Sequence, residues 1–255
     1  MVLLSLQKAI VYGPISSRRL GCSLGLNILP VAYKLCTLNC VYCQYGWTKA
    51  FATDASSHIS DLPGVEDVAL ALREFLLKLR DADIIPSYIT FSGNGEPTLH
   101  PQFEEIVDAV KKVRDELAPE ALVAILSNST TVGDEFVRRA LDKLDLRVMK
   151  VDCGEVNTFA SYNRPCTGVD FEEIVMDLRK LSGFSVQSLF TNLNSDESSI
   201  DKWIEVLKTL KPHEVQVYTL DRSAPLAELE PVSKDKLHEI ACRVRSETGI
   251  PAEVY

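Results

Sequence analysis

No stretch of the 255-residue sequence reaches the roughly 18 consecutive apolar residues that cross a bilayer, so nothing in it points to a membrane span. The N-terminal run MVLLSLQK puts its first cation, Lys8, after the apolar residues, and no small-residue cleavage site follows. That order does not suit a secretion signal, and a cytoplasmic location is expected. Positive charge is scarce as well: 27 Lys and Arg stand against 36 Asp and Glu, for a net charge of −9. A broad nucleic-acid footprint needs the reverse, clustered cations that displace condensed counterions. Internal repeats, low-complexity tracts and dividing linkers are all missing, and residues 1–255 are expected to form a single domain.

What is present is an alternation of short apolar runs with helical periods. Strands are expected at Leu24–Leu29, Tyr88–Ser92, Leu122–Asn128, Arg147–Asp152, Phe184–Thr191 and Val215–Leu220. Most are near-continuous apolar runs, which suits parallel strands covered on both faces. Val65, Val68, Leu72, Phe75 and Leu79 form one helical stripe, and Phe103, Ile106, Val107, Val110, Val113 and Leu117 another. Further helices are expected near Asp134–Lys143, Asp170–Leu181, Ser198–Leu210 and Lys234–Glu247. Six βα units in succession give an α/β fold with a parallel sheet and right-handed crossovers. Composition leaves an open sheet and a partly closed barrel equally allowed. Lys49–Pro63 is expected to be a long polar loop.

Seven cysteines occur, and three of them crowd into Cys36-Thr-Leu-Asn-Cys40-Val-Tyr-Cys43. Three thiolates at this C-x3-C-x2-C spacing suit three corners of a cubane iron–sulfur cluster, leaving the fourth iron open to another ligand. Tetrahedral zinc prefers two C-x2-C pairs, and a second pair is missing.

This cysteine loop, with the aromatic Tyr42 before its last cysteine, resembles the radical S-adenosylmethionine superfamily. The next strand ends in Ser92-Gly93-Asn94-Gly95-Glu96-Pro97, which resembles the superfamily's Gly-Gly-Glu-Pro motif with Asn94 as the departure. The resemblance implies an incomplete (β/α)6 barrel of the radical-SAM type, with a [4Fe-4S] cluster on Cys36, Cys40 and Cys43. It also implies S-adenosylmethionine at the open iron, its ammonium held by Glu96 and neighbouring backbone. Tyr42, Gly93, Asn94, Gly95, Glu96, Pro97, Ser127, Asn128, Lys150 and Asp152 form the expected cofactor-binding set. Lys150 and Asp152 are two apart and share one strand face, where an ordinary salt bridge competes with a cofactor contact. Tyr12-Gly13-Pro14, Ser17 to Gly21, Asn163-Arg164-Pro165 and Tyr218 to Arg222 are similar to the branch related to the wyosine tRNA-modifying enzymes.

The resemblance further implies reduced flavodoxin or ferredoxin as electron donor, and hydrogen abstraction from a substrate. That substrate is a small molecule, a peptide or protein, or tRNA; a non-catalytic cluster carrier is the competing non-enzyme reading. Cys166 is a candidate catalytic thiol, set against the ordinary role of a buried small hydrophobe. Cys153 is expected to face away from the cofactor, and Cys242 to lie off the apolar stripe of its helix. Arg18 and Arg19 suit either an anionic ligand or a solvated surface.

Overall fold

The computed structural model describes residues 3–255. Strands β1 (Val11–Ser17), β2 (Gly21–Leu26), β3 (Leu35–Cys36) and β4 (Ala50–Phe51) come first, followed by a 3-10 turn at Ser56–Asp61 and helix α1 (Val65–Asp81). Then come β5 (Tyr88–Phe91), α2 (Phe103–Leu117), β6 (Leu122–Ser127), α3 (Glu135–Asp142) and β7 (Leu146–Lys150). The connection after β7 holds α4 (Val156–Thr158), a π turn at Phe159–Asn163, and α5 (Phe171–Leu178). The chain finishes with β8 (Ser185–Phe190), α6 (Glu197–Leu210), β9 (Glu214–Thr219), α7 (Lys234–Thr248) and β10 (Ala252–Val254).

The main sheet has eight strands in the order β1-β2-β5-β6-β7-β8-β9-β10. All neighbours pair in parallel except β1, which runs antiparallel to β2 as a hairpin. Consecutive strands sit side by side, so right-handed crossovers put every helix on the same face. The edges β1 and β10 do not pair with each other, and the result is an incomplete (β/α)6 barrel.

The sequence expectation of strands apolar on both faces needs correction. Ile89 and Phe91, Val186 and Phe190, and Val215 and Val217 face the core beneath the helices. Thr90, Gln187 and Gln216 between them are polar and pair across the inner face: Thr90 Oγ1 with Ser23 Oγ (2.9 Å), and Gln187 Nε2 with Gln216 Oε1 (3.1 Å). Helices shield only the outer face, so the inner one is free to be hydrophilic. The Lys49–Pro63 stretch is likewise more ordered than a loop, holding β4 and the 3-10 turn.

Helix ends follow their sequence. Asp134, Asp170, Asp196 and Ser233 each accept a hydrogen bond from a first-turn N–H, the standard satisfaction of an orphan donor. Gly249, at φ +73°, ends α7. Trp203 of α6 is fully buried, donates Nε1–H to the Val151 carbonyl (2.9 Å), and meets Phe190 edge-on at 5.0 Å. It thereby fixes the end of β7, where Asp152 follows.

Candidate functional site

Every residue of the expected cofactor set except Tyr42 lies at or just beyond the C-terminal end of β5, β6 or β7; Tyr42 comes with the cysteine loop. This is the face where (β/α) barrels place their chemistry. The cysteine loop is tied to that face by backbone hydrogen bonds. Leu35 N–H donates to the Asn94 carbonyl (3.0 Å), and Glu96 N–H donates back to the Leu35 carbonyl (3.1 Å). The turn after β5 is thus stitched to the strand that carries Cys36. Close approach demands glycine here: a Cβ on Gly95 would lie 1.7 Å from the Leu35 oxygen, and φ is +144°.

On its other side the loop is held by the segment after α4. Asn39 and Val41 N–H donate to the carbonyls of Asn163 (2.9 Å) and Tyr162 (3.0 Å), and Cys166 N–H donates to the Thr37 carbonyl (2.9 Å). Cys166 therefore sits beside the loop, half-buried, and burial pushes its thiol up.

The three thiols share an electrostatic setting. Asn128 Nδ2 lies 3.4 Å from Cys36 Sγ, and Asn163 Nδ2 lies 3.4 Å from Cys40 Sγ, both amide donors aimed at sulfur. Burial pushes Cys36 up to about 12 and Cys40 up to about 11. Buried among them is the Lys34 ammonium, which donates to the Gly46 carbonyl (3.1 Å). Burial pulls Lys34 down, yet the charges of Cys43 and Cys36 outweigh it and the net shift is upward. Amide N–H groups and a buried cation are what a thiolate-held cluster of negative charge requires. The residues present fit a cluster.

Glu96 is almost completely buried. Its Oε1 accepts from Thr98 N–H (3.2 Å), Thr98 Oγ1–H (2.7 Å) and Ser127 Oγ–H (3.0 Å), and its Oε2 from Asn128 N–H (2.6 Å). Burial raises its pKa, and these hydrogen bonds oppose the rise without cancelling it; among the described residues it forms no salt bridge. A buried carboxylate lacking a cationic partner suits a cationic ligand.

Ser127 and Asn128 thus act on Glu96 and Cys36. Gly93 and Gly95, both at positive φ, shape the turn, and Pro97 starts the short 3-10 turn behind it. The Asn94 side chain turns away from the site, holding Gln7 N–H (2.8 Å) and donating to the Gln7 and Pro30 carbonyls (both 2.9 Å). Its departure from the Gly-Gly pattern is explained by this clasp on the N-terminal segment. Lys150 and Asp152 pair with each other at 2.8 Å. Asp152 also accepts from Tyr42 Oη–H, from Asn163 Nδ2 (2.9 Å) and from Leu189 N–H (2.9 Å). The pair locks Tyr42, and with it the cysteine loop, to the end of β7.

Lys34 and Asn163 were missed as site residues from sequence. Lys34 stands two before Cys36, the same-face spacing of a strand, and that was the available signal. Of the remaining cysteines, Cys153 is buried in the main core, Cys22 lies on β2, and Cys242 is exposed on α7.

Comparison with known proteins agrees with the geometry. The family model of the radical SAM superfamily matches residues 31–222. A UPF0026 protein of Synechocystis sp. is 32% identical over 224 residues, covering 85% of this chain and 77% of that protein. A UPF0026 protein of Methanocaldococcus jannaschii is 32% identical over 216 residues, covering 82% of this chain and 63% of that one. A Brachyspira hyodysenteriae protein named GTPase Obg is 31% identical over 218 residues, but the similarity spans 83% of this chain and only 30% of that protein. A radical SAM methyltransferase from Sphaerobacter thermophilus has the same fold, with TM-score 0.65 and 15% identity over 91% of this chain and 66% of that one. TYW1, solved with a lysine–pyruvate adduct bound, matches with TM-score 0.61 and 13% identity over 90% of this chain and 76% of that one.

Proposed function

The chain belongs to the radical SAM superfamily, and on that premise we propose that Cys36, Cys40 and Cys43 hold one [4Fe-4S] cluster and Glu96 holds the ammonium of S-adenosylmethionine. A cluster held there would supply the single electron for reductive cleavage of S-adenosylmethionine, and with it the radical chemistry that removes a hydrogen atom from substrate. The protein's own part is positional. Asn128, Asn163 and Lys34 stabilise thiolate charge, and the Asp152–Lys150 pair fixes Tyr42. The inner face of the barrel offers a walled space for substrate.

The observation that carries the reading is the buried, unpaired Glu96 carboxylate on a turn bonded directly to the Cys36 strand. It also counts against a non-catalytic carrier, which has no use for an anionic socket. The test is calorimetric titration of S-adenosylmethionine into anaerobically reconstituted wild-type and Glu96→Gln protein. Equal binding by both would remove Glu96 from the site; binding by neither would favour the carrier. The net charge of −9 favours a small molecule or peptide over tRNA as substrate. Salt-dependent tRNA binding would reverse that preference. Reduced flavodoxin or ferredoxin is the proposed electron donor.

A further inference from the structure

A cavity of about 580 Å³ lies between Thr37 and the start of α3, lined also by Thr98 and His100. A second, of about 540 Å³, lies against the inner face of the sheet and is bordered by residues next to both cofactor motifs. Gln44 and Tyr45, directly after Cys43, line one side, and Ser92 and Gly93, opening the Glu96 turn, line another. Substrate that surrenders a hydrogen atom to a radical formed at this site must lie within contact of it.

The charge of this second cavity runs against that of the whole chain. Its charged side chains are Arg18, Arg19 and Arg222 and a single acid, Asp221. Arg18 pairs with Asp221 at 3.2 Å on the exposed rim. Arg19 has no acid: its guanidinium lies over the Tyr218 ring at 4.8 Å, and its Nη1 is buried without a hydrogen-bond acceptor. Buried donors almost always have partners. A guanidinium over an aromatic ring, with its Nη1 donors left without an acceptor, suits a charge-assisted hydrogen bond to an oxyanion. Hydroxyls of Ser16, Ser23 and Thr90 line the same walls.

We propose that this cavity binds a small substrate bearing a phosphate or carboxylate group, and that Arg19 holds that group. The inference rests on the proposed placement of cluster and cofactor, and it adds the substrate class. The hydroxyl-lined wall faces the remainder of the substrate, so a polar, hydroxylated body is expected behind the anionic end.

The test uses inorganic phosphate and malonate as probes, titrated into reconstituted protein with and without saturating S-adenosylmethionine. Wild type, Arg19→Gln and Arg19→Lys are compared. Binding of at least one probe is expected, about tenfold weaker in Arg19→Gln, partly recovered in Arg19→Lys, and unaffected by the cofactor. Preference between the probes tells phosphate from carboxylate. Equal probe binding by Arg19→Gln, no probe binding by wild type, or displacement of the probe by S-adenosylmethionine would each overturn the assignment, the last by making Arg19 a cofactor residue. Loss of cofactor binding in Arg19→Gln would overturn it on the same ground. Failure of wild type to bind S-adenosylmethionine while Arg19 still governs probe binding would instead leave the anion site standing and defeat the cofactor placement.

Discussion

A carboxylate is costly to bury without a cation, and Glu96 is held that way by four hydrogen bonds. Its folded pKa stands above its ordinary value because burial outweighs those bonds. An acid shifted upward favours the fold when protonated. Its contribution is full below the unfolded pKa and is lost as pH rises through the folded one. The protein without cofactor should therefore lose stability across that interval, and denaturant titrations at stepped pH should show the slope flattened in Glu96→Gln. S-adenosylmethionine affinity should move oppositely, rising with pH over the same interval as the carboxylate ionises. Loss of one buried charge-assisted bond in Glu96→Gln should weaken cofactor binding about tenfold to a hundredfold while iron content stays unchanged. The cysteines give a sharper test. Ala at Cys36, Cys40 or Cys43 should abolish the expected content of about four irons per chain, whereas Cys242→Ala, on an exposed helix surface, should leave it intact by iron and sulfide analysis. At this scale the sequence was most readable where a residue belongs to a short motif. Lys34 and Asn163 escaped because their roles depend on burial and on contact with segments far along the chain: Asn163 meets Cys40 across 123 positions.

Among the elements, two-residue β3 does more positioning than any long strand. It joins Cys36 to the Glu96 turn, and only glycine at 95 permits the approach. Gly95→Ala should leave the barrel folded by circular dichroism yet reduce both iron loading and S-adenosylmethionine binding. A variant that loads iron normally would show the stitch to be dispensable. Trp203→Ala should cost about 3–5 kcal/mol in chemical denaturation, as large buried aromatics do, because it empties the space behind β7 and frees the Val151 carbonyl. The six parallel strands and their helices were legible, since 3.6-residue stripes and capping acids mark helices locally. The β1–β2 hairpin was not. Gly13 and Pro14 interrupt β1, and most of that strand is exposed, so it shows no two-residue alternation. The tip of β10 is three residues long and carries no pattern of its own.

For the whole molecule, one-sided helix cover explains both the open barrel and the polar interior. The helices bury the outer face of the sheet, and the inner face keeps polar side chains, of which Ser23 and Thr90 line a cavity beside the cofactor turn. Most of those strands read as near-continuous apolar runs, and the polar Gln187 of Ser185–Phe190 was the available signal of a hydrophilic inner face. In the proposed function S-adenosylmethionine is cleaved at the edge of this cavity. The most direct measurement is therefore 5′-deoxyadenosine formed from S-adenosylmethionine by anaerobically reconstituted, chemically reduced protein, followed by chromatography alongside the Cys36/Cys40/Cys43 triple Ala variant. Wild type should release 5′-deoxyadenosine and methionine in equal amounts and the triple variant none. A wild-type protein that carries its full cluster, binds S-adenosylmethionine and still yields no 5′-deoxyadenosine on reduction would contradict the assignment.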